Sequence, residues 1–385
     1  MCGIAGIVRF QSRTSEQEVR KMTDSLVHRG PDGEGIWLNE TQNVGLGHRR
    51  LAIIDLSSKG QQPMLSDDGR YVITFNGEIY NYVELREELK KSGQVFKTEN
   101  DTEVLIKLFQ SKGAECLSDL DGMFAFAVWD NHTNTLFCAR DRFGEKPFYY
   151  FKDANQFVFA SEMKAIWSIG IPRILNTRMA YNYEFFGYQS NPTDLSETFF
   201  QNIQALPAGH FLIMKDNKIS VKKYYSIELK QEYGHTNADQ VAEELKDLMR
   251  KSVSRRLRGQ VVVGSSFSGG LDSSVIVSEI LQILQGRNQN LDVFSAVFPG
   301  FEKNEEKFIK KMIEGKKITP HFIMPDQEAY QKIVEKLYYH QEAPFTSSSV
   351  IAQYFIYQKA REKNVLVLLD GQGADEVFGG YHGSY

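Results

Sequence analysis

Short apolar runs separated by turn residues fill the first half of the chain. The runs CGIAGIV at 2–8, YVITFNG at 71–77 and MFAFAVWD at 123–130 are typical of β-strands, and NHTN and KDANQ between other such runs predict tight turns. Apolar residues at helical spacing predict helices over 16–26, 82–91 and 102–109. Strands that cluster with a few helices among them favour sheets stacked between helical layers.

From about Asn237 the pattern changes to a regular alternation of helices and strands. The predicted elements are a helix over 239–257, a strand over 261–263, a helix over 273–284, a strand over 292–298, a helix over 305–313 and strands over 321–324 and 365–369. Such βα units with near-continuous apolar strands predict a doubly wound parallel sheet, which binds ligands at the carboxyl ends of its strands. We therefore expect a first domain over 2–207, a linker or interdomain segment over 208–236 and a second domain over 237–385.

Composition favours a soluble protein that acts on small molecules. Of the 385 residues, 42% are hydrophobic and 24% are charged, which is typical of globular domains. The net charge of -4 comes from 45 basic and 49 acidic residues that are mixed along the chain, so no basic stripe indicates a nucleic-acid partner. No apolar stretch is long enough to cross a bilayer, and three scattered cysteines favour a reducing compartment. We expect a cytoplasmic location.

Cys2 directly follows the initiator methionine, where a cysteine that only packs has little use. Removal of Met1 would leave Cys2 with a free α-amine, whose pKa is about 7.7 to 8.0, beside its own thiol at about 8.5. The amine can then take the thiol proton, so one residue is both nucleophile and base. An inert thiol at an untidy chain start is the alternative, and Cys2 alone does not decide between them.

Four further motifs add groups that would suit an amino-acid substrate. They are HRGPDG at 28–33, GHRRLAIID at 47–55, FNGEIYN at 75–81 and NDTE at 100–103. Their arginines could bind a carboxylate, and their acidic residues could bind an ammonium group. Taken singly, each motif also has an ordinary structural explanation, such as a turn at NG or a helix cap at Asp101.

In combination, CGIAGI, HRGPD, RLAIID, FNGEIYN and NDTE resemble the glutaminase domain of the asparagine synthetase B family, over most of residues 2 to 165. These enzymes are glutamine amidotransferases with an N-terminal nucleophile, so the resemblance implies an αββα sandwich of the Ntn hydrolase type. It also implies roles for six residues: Cys2 as nucleophile, Asn76 and the Gly77 amide as oxyanion hole, Arg50 for the glutamine α-carboxylate, and Glu78 with Asp101 for the α-ammonium group.

SFSGGLDSS at 266–274 connects a predicted strand to a predicted helix. Glycines in such a loop leave backbone N–H groups open to a phosphate or pyrophosphate, although the lysine of a Walker A motif is missing. Asp272 would be unfavourable beside an anion unless a cation lay between them, so we infer Mg2+. An ordinary glycine turn that caps a helix is the alternative.

DGQGADEVFGGY at 370–381 follows the last predicted strand. Together with SGGLDS it resembles the adenylating, pyrophosphate-releasing synthetase domain of the same family, a doubly wound sheet of the ATP pyrophosphatase type. The resemblance implies ATP as a substrate and Mg2+ as a cofactor, with the following ligands: Ser268, Gly269, Gly270, Asp272, Ser273 and Ser274 for the pyrophosphate, Asp370 and Gly371 for ATP, and Asp272 with Asp375 for the metal.

The implied enzyme hydrolyses glutamine at Cys2 and passes the ammonia to adenylated aspartate, which gives asparagine, AMP and pyrophosphate. Three departures from the family pattern stand out. Gln372 replaces the glutamate of the usual SGEG motif, 344–353 lacks the arginine expected for the aspartate α-carboxylate, and the chain stops at Tyr385, so we expect an incomplete second domain.

Two alternatives therefore stay open. The acceptor could be another carboxylate, such as a sugar acid of a surface polysaccharide, or the chain could be a glutaminase-only or regulatory fragment. The expected partners are glutamine, aspartate or another carboxylate, and ATP, with no nucleic acid and no membrane. A homodimer is left open.

Overall fold

The computed structural model describes residues 1–228, 237–285, 289–300 and 305–381. The chain divides into two compact units. The first unit comprises residues 1–229 and 342–344, and the second comprises 230–341 and 345–385.

The first unit contains twelve strands and five α-helices among its described residues. The strands are β1 Gly3–Arg9, β2 Gly33–Leu38, β3 Val44–Arg50, β4 Met64–Leu65, β5 Tyr71–Ile79, β6 Gly122–Asp130, β7 Thr135–Arg140, β8 Tyr149–Lys152, β9 Gln156–Ala160, β10 Gln204–Ala205, β11 His210–Lys215 and β12 Lys218–Lys223. The helices are α1 Glu16–Asp24, α2 Tyr82–Lys91, α3 Asp101–Lys112, α4 Met163–Trp167 and α5 Thr177–Phe186.

Two antiparallel sheets of six strands each form the centre of this unit. Their strand orders are β10-β8-β9-β1-β3-β2 and β12-β11-β7-β6-β5-β4. Apolar side chains from both sheets, including Ile4, Leu46, Trp129 and Phe159, form one buried cluster. The other face of the first sheet packs against α1 and α4, and that of the second against α2 and α3. The αββα sandwich implied by the motifs is confirmed.

The segment 208–236, which the sequence indicated as a linker, contributes two strands to the second sheet. β11 pairs with both β7 and β12, and its residues Leu212 and Met214 are buried in the intersheet cluster. The four consecutive apolar residues of HFLIMK explain this strand, because Leu212 and Met214 face the intersheet cluster while Phe211 and Ile213 pack on the other face of the sheet. Residues 210–223 therefore belong to the first unit, and residues 229–236 lie outside the described part of the chain.

The second unit alternates helices and strands. Its described elements are α6 Ala238–Arg256, β13 Val263–Ser266, α7 Leu271–Leu284, β14 Leu291–Ala296, α8 Glu306–Ile313, β15 Ile318–Ile323, α9 Gln327–Gln341, α10 Ser349–Glu362, β16 Val367–Leu369 and α11 Ala374–Phe378. The strands pair in parallel in the order β15-β14-β13-β16. The chain thus winds first to one side of β13 and then to the other, which confirms the doubly wound parallel sheet.

This winding creates a switch point between β13 and β16, where the strand order reverses. The loops that follow these two strands are 267–270 and 370–373. In open α/β sheets, ligands bind at the carboxyl ends of strands at this point. Within the described ranges, no helix has the length and apolar character required to cross a membrane.

The packing between the two sheets yields a stability prediction. Phe159 is fully buried and stacks on Phe148 with ring centroids 5.2 Å apart. We expect Phe159→Ala to lower the free energy of unfolding by about 3 to 5 kcal/mol, because it leaves a cavity in a close-packed core. Urea titration followed by tryptophan fluorescence measures this, since Trp37, Trp129 and Trp167 all lie in the first unit.

Phe143→Ala is the matched control, because the Phe143 side chain is 65% exposed. Its effect should stay within about 1 kcal/mol. Equal losses for the two variants would contradict the intersheet core described above.

Candidate active site

One pocket of the first unit lies where β1 begins, β3 and β5 end, and α3 begins. All six residues that the motifs indicated for glutamine chemistry line this pocket: Cys2, Arg50, Asn76, Gly77, Glu78 and Asp101. They come from four separate stretches of sequence and from both sheets. The fold therefore brings together groups that the sequence could only place in separate motifs.

Cys2 lies at the start of β1, which is an inner strand of its sheet. Its carbonyl oxygen accepts a hydrogen bond of 2.8 Å from Arg29 Nε, and its Sγ accepts one of 3.4 Å from the Leu51 N–H. Two residues further along, the Ile4 N–H donates to Ser161 Oγ at 2.9 Å. Burial raises the pKa of the Cys2 thiol. The thiol thus needs a nearby base to become a nucleophile at neutral pH.

Met1 also lines the pocket in the unprocessed chain. Its Sδ lies 3.0 Å from Lys146 Nζ, and burial lowers the pKa of its α-amine to about 5. While Met1 is attached, the nitrogen of Cys2 is an amide and cannot take a proton. Removal of Met1 would expose a basic nitrogen on Cys2 itself and would free the space that Met1 fills.

Asn76 and Gly77 are neighbours on β5 and both line the pocket. The Asn76 side chain is fully buried, and within the described structure neither Nδ2 nor Oδ1 has a hydrogen-bond partner. Buried amides are normally bonded, so this side chain is suited to a ligand that arrives in the pocket. An added Cβ on Gly77 would collide with the Met123 carbonyl oxygen, which explains the glycine.

Arg50 is the last residue of β3, and its guanidinium lies at the edge of the pocket. Nη1 donates to the Ser57 carbonyl at 2.6 Å, and Nη2 donates to the Asp55 carbonyl. An added Cβ on Gly60 would lie 2.5 Å from Nη2, so this loop packs directly against the guanidinium. The loop therefore holds a charged donor in place at the pocket edge.

Asp101 and Glu78 contribute carboxyl groups to the lining of the pocket. Asp101 opens α3, is 4% exposed and accepts a hydrogen bond of 3.0 Å from the Ile79 N–H. Asn100, and not Asp101, caps the helix through a bond from the Thr102 N–H. Burial, and secondly the Glu78 charge, raise the pKa of Asp101 to about 7.

Two further pocket residues, Lys146 and Gln62, and one residue that contacts Cys2, Arg29, had no role in the sequence prediction. Arg29 stands inside the HRGPDG motif, and its guanidinium joins the Cys2 carbonyl to Glu162, 2.8 Å from each. Lys146 is 4% exposed and lines the pocket, and burial lowers its pKa. Gln62 is 6% exposed and also lines the pocket. Lys146 and Gln62 stand in no motif that carried a chemical signal.

The second candidate site lies at the switch point of the parallel sheet. The Ser265 hydroxyl donates to the Leu369 carbonyl at 2.7 Å and so ties β13 to β16. In the loop that follows β13, Ser268 Oγ lies 3.1 Å from Ser273 Oγ, and Gly269 has a φ of 83° that favours glycine. An added Cβ on Gly371 would lie 3.0 Å from Asp272 Cβ, so the two loops are neighbours.

The helix at this site begins two residues earlier than the sequence predicted. α7 starts at Leu271, so Asp272, Ser273 and Ser274 lie in its first turn. A carboxylate in a first helical turn is favourable in itself. Burial raises the pKa of Asp370, which follows β16. Asp375 lies in the short helix α11, which follows this loop.

The donor chemistry at this site fits Mg2+ only together with a phosphate ligand. Among the described residues, no three or more His, Cys, Asp or Glu side chains form a group that could hold a metal ion. Mg2+ commonly takes one or two carboxylates and completes its shell with substrate phosphates and water. Asp272 beside the glycine loop meets that requirement.

Two family models match the chain. One, described as glutamine amidotransferase domain, covers residues 1–225, and the other, described as asparagine synthase, covers residues 244–385. The first unit is therefore a glutamine amidotransferase domain, and an asparagine synthase domain follows it.

Curated relatives identify the family. Asparagine synthetase [glutamine-hydrolyzing] 1 of Bacillus subtilis is 36% identical over 99% of this chain, and its numbered homologue 2 from the same organism is 34% identical over 99%. A Methanocaldococcus jannaschii protein with the provisional name asparagine synthetase [glutamine-hydrolyzing] 2 is 36% identical over 99%. The chain belongs to the glutamine-hydrolysing asparagine synthetase family, which uses ATP as a substrate. These matches support the predicted glutamine-dependent asparagine synthesis.

The chain spans 76% of the M. jannaschii relative but only 59% and 52% of the two B. subtilis relatives. Among solved structures, a glutamine phosphoribosylpyrophosphate amidotransferase from B. subtilis has a TM-score of 0.45 at 17% identity, over 84% of this chain and 81% of that chain.

The raised pKa of Asp101 predicts a pH-dependent stability. Its pKa is 3.8 ordinarily and about 7 in the fold, so the folded state holds the proton more tightly. The contribution of this carboxyl to stability is therefore complete below pH 3.8 and is lost as the pH rises through about 7. The unfolding free energy of Asp101→Asn, relative to the unsubstituted chain, should rise between these two pH values in urea titrations.

Asp68→Asn is the control, because a hydrogen bond from Ser66 lowers the pKa of Asp68. Its relative unfolding free energy should change mainly below pH 3.8, where it should rise as the pH falls, because protonation removes the stability that the ionised Asp68 carboxylate contributes. A pH-independent difference for Asp101→Asn would show that the buried carboxyl titrates normally.

Proposed function

We propose that this chain releases ammonia from glutamine at Cys2 and uses it to amidate an ATP-activated aspartate. The observation that carries the proposal is the single pocket in which the thiol, the unpartnered Asn76 amide, the Arg50 guanidinium and two carboxylates converge. The chain spans only 59% and 52% of the two B. subtilis relatives, so the complete activity is part of this proposal.

In the first step, Cys2 attacks the side-chain amide of glutamine. The α-amine freed by removal of Met1 takes the thiol proton, and the Sγ–C bond forms while negative charge moves to the amide oxygen. Asn76 Nδ2 and the Gly77 N–H would donate to that oxygen, and such donors stabilise a tetrahedral intermediate strongly. The α-ammonium then protonates the leaving nitrogen, ammonia departs, and water cleaves the resulting γ-glutamyl thioester to glutamate.

Charged residues of the pocket would hold the α-carboxylate and α-ammonium groups of glutamine. Arg50 would bind the α-carboxylate of glutamine, with the Ser57 and Asp55 carbonyls keeping its guanidinium oriented. Glu78 and Asp101 would bind the α-ammonium group. A charge-assisted hydrogen bond favours the ionised form, so a bound ammonium would lower the pKa of Asp101 again.

The switch-point site of the second unit would activate the acceptor. We propose that the loop and first helical turn hold the pyrophosphate of ATP, through these residues: Ser268, Gly269, Gly270, Asp272, Ser273 and Ser274. Asp370 and Gly371 would line the ATP site. Asp272 and Asp375 would hold Mg2+, which when bound offsets the negative charge of the phosphates. The aspartate carboxylate would displace pyrophosphate, and ammonia would then displace AMP.

One observation favours a second candidate acceptor. Gln372 places a neutral side-chain amide where relatives of this type commonly have a glutamate. The main-chain N–H of Gln372 donates to Asp370 Oδ1 at 3.4 Å. With 344–353 lacking the expected arginine, a carboxylate without an α-amino acid group, such as a sugar acid, is the alternative.

Further features stay predictions. The three cysteines support a cytoplasmic location, because Cys116 and Cys138 are buried free thiols. The start of the second domain at residue 237 stays a prediction, whereas the first unit extends beyond the predicted limit of 207. A homodimer stays untested.

The first test removes the nucleophile. Cys2→Ala should abolish glutamate release from glutamine in an enzyme-coupled assay, because no other described thiol lines the pocket. Synthesis from added ammonia should persist, since the second unit does not need the thiol. Cys116→Ala, which changes a buried thiol elsewhere, should keep glutamine hydrolysis. Glutamine hydrolysis retained by Cys2→Ala would refute the proposed nucleophile.

The second test identifies the acceptor. With ATP and ammonia supplied, pyrophosphate release should depend on aspartate and not on a panel of uronic acids. Asp272→Asn should lose that release, whereas Glu328→Gln should retain it, because the exposed Glu328 side chain forms a surface ion pair with Lys332 on α9. Release that requires a uronic acid and ignores aspartate would favour the alternative acceptor.

A further inference from the structure

The segment Asn76–Glu78 carries three of the six glutamine-pocket residues, and its two flanking residues are both held by side chains. On one side, the Phe75 N–H donates to Gln62 Oε1 at 2.6 Å. On the other side, the Ile79 N–H donates to Asp101 Oδ2 at 3.0 Å. The backbone before and after the segment is therefore fixed by groups outside its own strand.

Both of these side chains lead to the first turn of α3. Asp101 is itself the first residue of that helix. Gln62 reaches the second residue, because its Nε2 donates to Thr102 Oγ1 at 3.2 Å. Gln62 and Thr102 are both buried, at 6% and 1% exposure. The Gln62 carboxamide thus bridges β5 and α3, because its Oε1 accepts a hydrogen bond from β5 and its Nε2 donates one to α3.

The position of Gln62 explains why a side chain is needed here. β4 pairs with β5 only through Met64 and Leu65, opposite Ile73 and Val72. The Phe75 N–H lies beyond the end of this short ladder, and residue 63 is a proline, which has no N–H of its own. Where the ladder stops, the Gln62 side chain supplies the hydrogen-bond acceptor for the Phe75 N–H. A buried N–H left without an acceptor would destabilise the fold.

The Phe75 carbonyl is fixed in the same manner. It accepts a hydrogen bond of 3.1 Å from His48 Nε2, and His48 is 1% exposed. Burial lowers the pKa of His48 to about 3, so the ring is neutral and its Nε2 carries the proton that this bond requires. Phe75 is therefore held at both its main-chain groups, directly before Asn76.

We propose that Gln62 is a positioning residue for glutamine hydrolysis, which holds the Asn76 and Gly77 donors in register with Asp101 by clamping β5 to α3. This inference rests on the proposed function of the pocket. A donor contributes to catalysis only where it meets the developing oxyanion, so small displacements of this segment should slow the reaction. Gln62 itself needs no contact with the substrate for this role.

Two substitutions test the clamp from its two sides. Gln62→Met keeps the length of the side chain but removes both hydrogen bonds. Thr102→Val keeps the shape of Thr102 but removes the acceptor for Nε2, and it leaves the Phe75 bond in place. Thr102→Ser retains the hydroxyl and should restore turnover. Gln110→Met is the matched control. Gln110 lies on the same helix as Thr102, and its Nε2 donates an exposed hydrogen bond to Asp68.

Turnover of glutamine is measured per reactive Cys2, and the rate of Cys2 alkylation by iodoacetamide is measured in parallel. Alkylation requires the Cys2 thiol but no oxyanion donor. A variant that only displaces the Asn76 and Gly77 donors should therefore keep its alkylation rate, whereas a variant with an unfolded pocket should not. We expect kcat to fall about tenfold or more in Gln62→Met and in the same direction in Thr102→Val, with alkylation within about twofold of the unsubstituted chain. The double variant should be no slower than Gln62→Met, since both changes break one clamp.

Turnover within about twofold of the unsubstituted chain in both single variants would overturn the inference, as would equal losses in turnover and alkylation. Independent, multiplicative losses in the double variant would also overturn it. If the unsubstituted chain itself releases no glutamate, the proposed function fails instead, and that result is distinguishable because it needs no variant.

Discussion

The register of β1 is the constraint on which the pocket of the first unit depends. Chain termini usually fray, but here Gly3 pairs with Arg49 and Ala5 pairs with both Gly47 and Ala160. The strand lies inside its sheet, so its first residues are fixed by partners on both sides. Cys2 is consequently held beside the end of β3, and a shift of one residue would turn its side chain to the other face of the sheet.

The same burial that fixes the pocket makes it electrostatically unusual. A carboxyl with a pKa of about 7, a buried lysine and an amide without a partner in the described structure lie around one small space. Each is unfavourable for a protein that only needs to fold, and polar groups of this kind are characteristic of binding and catalytic sites. The second unit, by contrast, places its candidate groups on two loops and on the helices that follow them, at a switch point that any doubly wound sheet possesses.

Local pattern was sufficient for the layered sheets and the doubly wound sheet, whereas the family resemblance indicated most of the residues that line the pocket. The strands that carry Cys2 and Asn76 are apolar enough to be recognised, and Asp101 opens a helix with clear spacing. β2 was not recognised, because Gly33 and Gly35 interrupt its apolar run. β11 was assigned to a linker although it contains a run of four apolar residues, 211–214. Lys146 and Gln62 gain their importance only from tertiary neighbours, so no single-sequence signal could indicate them.

The proposed chemistry begins when an N-terminal Cys2, freed of Met1, attacks glutamine in this pocket. Peptide mass spectrometry of the chain after inactivation by a glutamine-derived chloroketone tests this step. We expect one adduct, on the sulfur of Cys2 in a peptide that lacks Met1, and protection of Cys2 by glutamine. An adduct on Cys116 or Cys138, or a chain that hydrolyses glutamine with Met1 still attached, would contradict it.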